Sequence, residues 1–405
     1  PGRGHAGAQC RAVPADRGRA VIHSLSEFRE WQRQARTYWS LRRKSWRHGP
    51  EGLCRRLYAG VVRGERELNL ESPTSFCDKL NWMKFHYRPP EFRTYVDKSA
   101  VRDHVARTLG TEWLIPLLGT WERPEQIPWD DLPNAFVLKT NHGSGTNVLC
   151  ADKARFDRGL AARRLRRWLR RDFYWYGLEW CYRDMPRKIL GETFLQGPSG
   201  QPPWDYKVLC FGGEPRIVWV DLGRFTQHRR IYYDVEWNRL ACGSSWYAAA
   251  EENVPRPACL AQLLAAARAL AGRHPFMRVD FYVVADRPLF GEITIFPGGG
   301  FEPFLPLSFD EEVGSWIPLP NAGNAGGAGM STAEKARSGK EWLSSWDPEN
   351  EETWDKGLAW RTLWITTFSL TMCFVAWFLP SAIVPKLNAI GYDFTQGQLY
   401  WLAAV

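Results

Sequence analysis

The chain has 405 residues, enough for two or three domains and a sizeable core, and its 22 tryptophans and 14% aromatic content exclude a disordered polypeptide. The net charge of +9 is largely arginine and unevenly spread, but no nucleic-acid-binding motif accompanies it, so no nucleic-acid partner is expected. Nine cysteines stand singly, with no CxxC pair and no secretory apolar run ahead of the first domain, which points to a reduced, cytoplasmic main body without disulfide framework or structural zinc.

Residues 1–22 are rich in Gly, Ala and Arg, lack periodicity and begin at Pro1 instead of a methionine; they read as disordered, or as sequence that was never a natural start. The next segment, 23–70, has aromatic and basic residues at helical spacing from Ser24 to about Arg63, predicting two short helices broken by Gly49-Pro50. Ser72-Pro73-Thr74-Ser75 is a helix start, and Phe76, Leu80 and Met83 share one face of the helix it opens. Tyr95-Val96-Asp97-Lys98 opens a further helix carrying Val101, Val105 and Leu109. Between Asn134 and Asp152 the pattern becomes strand–turn–strand, Phe136–Lys139 and Asn147–Cys150 flanking His142-Gly143-Ser144-Gly145.

From Arg155 to Arg171 there are eight arginines and one acid, Asp157, while Leu165, Trp168 and Leu169 keep helical spacing. That is an amphipathic helix with a basic outer face. Two readings of the face stay open: simple solvation, or attraction to an acidic polymer, anionic lipid or nucleic acid, the last without a motif to go with it. Ile189–Leu195 then reads as a strand, Asp205–Asp221 as a hairpin turning at Gly212-Gly213, and about Pro257–Arg273 as a helix. The order predicts an α+β fold with antiparallel sheets.

A second hairpin carries the clearest chemistry. In Met277–Val284, Arg278 and Asp280 alternate with apolar residues, and the return strand Leu289–Pro297 carries Glu292 and Thr294 two apart. Side chains two apart share a face, so a turn near Asp286 would set 280 opposite 292 and bring all four groups onto one surface. Paired carboxylates repel, and a hard divalent cation bound by oxygens is the usual remedy; a solvated surface hairpin is the plainer alternative. The glycines of His142–Gly145 could lay backbone N–H groups along a phosphate beside Lys139, although ordinary glycine hairpins are common.

Taken in order, the motifs SFCDKLNWMKFHYRPP (75–90), YVDKSAVRDHV (95–105), IPLLGTW (115–121), LPNAFVLKTNHGSG (132–145), EWCY (179–182), ILGETFL (189–195), DYKVLCFGG (205–213), RVDFY (278–282) and FGEITIFPGGG (290–300) resemble the TupA-like branch of the ATP-grasp superfamily, linked to teichuronopeptide and other cell-surface polymer biosynthesis. The resemblance covers roughly 70–320 and implies two α+β subdomains gripping ATP within a domain at 71–320. It implies that Lys98 and Lys139 contact nucleotide phosphates, that Gly143, Ser144 and Gly145 close over them with His142 as a further donor, and that Glu192, Thr193 and Leu195 belong to a hinge against which adenine stacks. Asp280 and Glu292 would hold Mg2+ with Thr294 beside them, where better-known members carry asparagine. Arg278 would stabilise an oxyanion and Lys207 would approach the γ-phosphate. The implied activity is an ATP-dependent joining of a carboxylate to an amine through an acyl phosphate. A glycosyltransferase or phosphotransferase using the same metal cluster is the alternative.

After Pro320 the composition changes. Residues 321–359 begin with the low-complexity run Asn321–Gly329 and read as a linker, and 362–385 contain no charged side chain. As a helix that run would be about 36 Å long, enough to cross a bilayer core, with Pro380 and Pro385 bending its exit. Residues 360–405, with Ser345–Asn350 ahead of them and Gly391–Thr395 within them, resemble the opening of NarK-type nitrate/nitrite transporters. One span and the start of a second cannot enclose a transport path. Met330 sits where such a transporter could begin, so a join of two reading frames, or a fragment of a fusion, is expected near it. If the tail is genuine it would attach the enzyme to the inner membrane.

Overall fold

The computed structural model describes residues 40–45, 47–62, 64, 66–197, 203–223, 228–320, 360, 363–372 and 395. The chain divides into two compact units, 1–329 and 330–405. In the second unit residues 363–372 are helical and exposed. Among the described residues no helix is long and apolar enough to cross a membrane. Residues 373–385 of the expected span, the segment 1–22 and the linker 321–359 lie outside the described residues.

The first unit opens with helical residues 40–45 and 47–61 (α1), the second stretch running on through Gly49 and Pro50 although Gly49 has φ 72°. Helix α2 (Phe76–His86) starts at Ser75, whose hydroxyl accepts from the Asp78 N–H while the Asp78 carboxylate accepts from Ser75, a reciprocal capping box. Two further helices follow, α3 (Phe92–Val96) and α4 (Val101–Leu109). Asp97 holds the turn between them by accepting from the N–H groups of Ser99 and Ala100.

The smaller sheet has strand order β1 (Leu117–Trp121), β4 (Ile189–Thr193), β2 (Phe136–Thr140), β3 (Asn147–Cys150), all antiparallel. The predicted basic helix is α5 (Arg158–Leu169), capped by Asp157. Its Leu165 and Ala161 pack with Phe136 and Leu138 of β2 in a core of their own. The short α6 (Tyr174–Gly177) follows.

The larger sheet has order β11 (Arg287–Thr294), β10 (Phe276–Val284), β5 (Asp205–Phe211), β6 (Glu214–Leu222), β7 (Arg229–Tyr233), β9 (Ala248–Ala249), with β8 (Gly243–Ser244) paired instead to β12 (Phe304–Leu305). All its pairings are antiparallel except the two-residue β7–β9 contact. Helix α7 (Leu260–Ala271) buries Leu263, Ala267 and Leu270 in the main core with strands β5 and β10, and α8 (Leu307–Ser315) lies against α2. One face of the sheet is thus sealed by helices. The other carries the charged residues.

Candidate active site

The second hairpin turns at Ala285-Asp286, both in the left-handed region (φ 50° and 59°). The pairing shifts by one residue between Asp280 and Phe281, leaving Gly291 as the extra residue of a bulge. The outcome is the expected register, Asp280 opposite Glu292 and Arg278 opposite Thr294. The bulge also lets Phe290 and Ile293, three apart, both reach the core. Arg278 joins all four groups: Nε and Nη2 donate to the two Asp280 oxygens at 2.6 and 2.7 Å, and Nη2 also to Thr294 Oγ1 at 2.9 Å and Glu292 Oε1 at 3.3 Å.

Asp280 also pairs in register with Lys207 on β5. The Lys207 ammonium lies 2.8 Å from Asp280, in direct contact with Asp205, and 3.7 Å from Asp221 on β6. With a side chain only 4% exposed, it balances three carboxylates. Reaching a γ-phosphate, as the resemblance implies, would require Lys207 to exchange these partners. Asp221 accepts from Arg230 of β7 at 2.7 Å, and Arg230 donates to Glu302 at 2.9 Å. The guanidinium lies between the rings of Trp219 and Tyr247, 4.1 and 4.3 Å from their centres. Burial opposes the charge on Asp221, but His228, Lys207 and Arg230 outweigh it and hold the carboxyl well below the usual range. Asp221, Arg230 and Glu302 were not legible as site residues: neither β6 nor β7 alternates polar and apolar side chains, and Glu302 joins them from 72 residues beyond Arg230.

Lys98, in the turn before α4, donates its backbone N–H to Asn141 O and its ammonium to Gly143 O at 2.6 Å, and lies 3.3 Å from Glu292. It therefore ties the glycine loop to the hairpin. Gly143 and Gly145 have φ 73° and 70°, and Ser144 and Gly145 are exposed. A Cβ at 143 would lie 2.3 Å from the Phe173 ring. Lys139 is ion-paired with Glu192 at 2.7 Å, and Arg102 reaches the same carboxylate at 3.4 Å. Thr193 donates its N–H to Pro116 O, and Thr193 and Leu195 are half-buried beyond the end of the cleft lining. His142 is 3% exposed, and its Nε2 lies 3.2 Å from the Arg171 carbonyl, which can only accept. Burial, with Arg187 nearby, lowers its pKa to about 4, so the ring is neutral. Donating to a phosphate would require it to leave this partner.

These elements enclose a cleft of about 330 Å³ between the loop (Gly143, Ser144), the hairpin (Arg278, Glu292, Thr294), the α6 segment (Phe173, Tyr176, Glu179) and the wall of Arg230, Trp246 and Tyr247. Cationic donors and an exposed glycine loop at one end suit phosphates. The two carboxylates and hydroxyl of Asp280, Glu292 and Thr294 are the hard oxygen donors Mg2+ prefers, so the donor chemistry fits it. Both Asp280 oxygens are engaged by Arg278, however, and no group of three or more His, Cys, Asp or Glu side chains among the described residues is arranged as a metal site. Holding a cation there requires Arg278 to change partners.

Comparison with known proteins gives two separate results. The tail matches nitrate/nitrite transport proteins: the probable nitrate/nitrite antiporter NarK2 of Thermus thermophilus at 48% identity over 64 residues, and the nitrate/nitrite transporter NarU of Salmonella typhimurium at 46% over 66, each covering 16% of this chain. The chain spans about 14% of the length of these curated relatives. Among solved structures, D-alanine–D-alanine ligase from Bacillus anthracis complexed with ATP aligns at 16% identity and TM-score 0.31 over 51% of this chain and 55% of that one. The L-amino acid ligase from Bacillus licheniformis aligns at 15% and 0.32 over 53% and 44%. Those scores are too low to argue from. Residues 78–318, more than half of the chain and all of the site just described, match the family TupA-like ATPgrasp, and the chain therefore belongs to the TupA-like ATP-grasp ligases.

Proposed function

We propose that the chain is an ATP- and Mg2+-dependent carboxylate–amine ligase of cell-surface polymer assembly, acting in the cytoplasm. The observation that carries the reading is the meeting of Lys98, the Gly143–Ser144 loop and the Arg278–Glu292–Thr294 face in one cleft. When bound, ATP with Mg2+ would supply a transferable phosphoryl group and charge neutralisation, so that a carboxylate substrate is activated as an acyl phosphate. Asp280, Glu292 and Thr294 would hold the metal. Lys98 and Lys139 would contact the phosphates, each giving up a carboxylate partner, Glu292 and Glu192 respectively. Arg278, released from Asp280, is the nearest strong donor to a developing oxyanion at the hairpin. Lys207 keeps Asp205, Asp221 and Asp280 together while these exchanges occur.

The surface-polymer assignment rests on the ordered motifs, with the exposed arginines of α5 suited to an acidic polymer. Membrane attachment would run through 362–385, on the strength of their charge-free sequence alone. The transporter-like stretch, about 14% of each relative, gives no ground for assigning transport.

The test is thermal stabilisation and ADP release by the full-length chain with Mg-ATP. Lys98→Ala is expected to cost about 3 kcal/mol of transition-state stabilisation, the scale of one lost charged donor. Glu292→Gln should raise the Mg2+ concentration needed while leaving the melting temperature without nucleotide close to that of the parent. Absence of any Mg-ATP-dependent stabilisation in the parent chain would overturn the reading.

A further inference from the structure

The charged residues that line the cleft are matched with one exception. Arg278 is held by Asp280, Arg230 by Asp221 and Glu302, Glu302 also by the Ser244 hydroxyl, and Glu292 by Lys98. Glu179 is different. It lines the same cleft and is 6% exposed, yet among the described residues its carboxylate has neither an ion pair nor a hydrogen-bond donor.

An ionised carboxylate buried without a partner is unfavourable by several kcal/mol in general. Burial accordingly raises the Glu179 pKa to about 7, although Lys84, Arg278 and Lys98 act on it from a distance. The chain nonetheless makes space for it. Gly177, two residues earlier, has no side chain where a Cβ would lie 2.6 Å from Glu179 Oε1 and 3.2 Å from the Gly299 backbone. The cleft that Glu179 lines also carries Tyr176, Tyr182, Tyr247 and Trp246, which is 44% exposed.

We propose that Glu179 anchors the protonated amine of the acceptor substrate, so that its part of the cleft is the amine subsite. Ligation needs opposite electrostatics at its two ends. The carboxylate and phosphates are anionic and suit Lys98 and Lys139, which flank the glycine loop. The amine arrives as an ammonium and suits a lone carboxylate; once it has passed a proton to that carboxylate, the neutral nitrogen can attack the acyl carbon and phosphate leaves. The incoming charge also supplies the partner that Glu179 lacks. This assignment rests on the amide-forming reading above and adds to it the charge of the acceptor and the residue that selects it.

The experiment uses the full-length chain with Mg-ATP present, and measures binding of ethanolamine, putrescine and glycinamide, each beside its neutral N-acetyl derivative. The expected result is that at least one amine binds and its N-acetyl form does not. Glu179→Gln should weaken that amine by about tenfold or more, the value of one charge-assisted contact, with ATP binding serving as the control for folding. Equal binding of amine and N-acetyl form by the parent chain, which needs no variant, would overturn the assignment. So would undiminished amine binding by Glu179→Gln, or failure of all three amines to bind while Mg-ATP does; in that last case the ligase reading stands and only the anchor falls. If Mg-ATP itself does not bind, the ligase reading fails first.

Discussion

At His142, burial and the Arg187 guanidinium hold the imidazole neutral, with a pKa of about 4 against an ordinary value near 6.5. The unfolded chain takes up a proton below 6.5 and the folded chain not until about 4, so the stability linked to this group is fully present above 6.5 and is lost as pH falls toward 4. His142→Gln should therefore flatten the loss of stability on acidification through that window, measured as urea midpoints against pH. An unchanged slope would assign it to other groups. Single side chains also differ in how far the sequence discloses them. Arg278, Asp280, Glu292 and Thr294 were legible because strand periodicity alone puts them on one face. Lys207 was named through the family resemblance, but the carboxylates from three strands around it were not legible; nor was Glu179, which is defined by having no partner, as only packing reveals.

Among the elements, the β10–β11 hairpin reaches the pairing expected from sequence by an unexpected route. A symmetric turn about Asp286 would give 280 opposite 292; the chain uses a two-residue turn at Ala285-Asp286 and absorbs the odd residue in the bulge at Gly291. Period-two patterns fix faces, whereas a bulge is a local compromise that leaves them unchanged. Both turn residues hold positive φ, where L-residues other than Asn, Asp and Gly cost about 1–2 kcal/mol. Asn-Gly is the favoured pair for such a turn. Ala285→Asn with Asp286→Gly should raise stability by about 1 kcal/mol, read as an increase in melting temperature, with no change in Mg-ATP dependence. Lower stability would mean that the turn is held by contacts other than its own backbone. The α-helices were easier to read: Ser75 and Asp157 begin their helices as their side chains predict.

For the whole molecule, the division after Gly329 coincides with the composition shift at 321–329 and lies beyond the family match at 318. A chain stopped after residue 320 should therefore retain the Mg-ATP-dependent thermal shift of the full-length protein. Its loss would show that the tail contributes to the folded ligase. The shift at 321–329 was legible because low complexity and a charge-free run are compositional. Two α+β subdomains were implied by the family resemblance, whereas the contacts that bring the site together, such as Lys98 with Glu292, lie more than a hundred residues apart and were not legible.

The Phe173 ring that seats against Gly143 also packs on Tyr176 and Tyr182, with centroids 5.6 and 5.2 Å away, so the glycine loop and the stretch that leads to Glu179 meet through one side chain. A Cβ at 143 would come within 2.3 Å of that ring, so any side chain there must displace the group that also borders the Glu179 stretch. One glycine thereby sets the shape of the cleft on both sides of the ring.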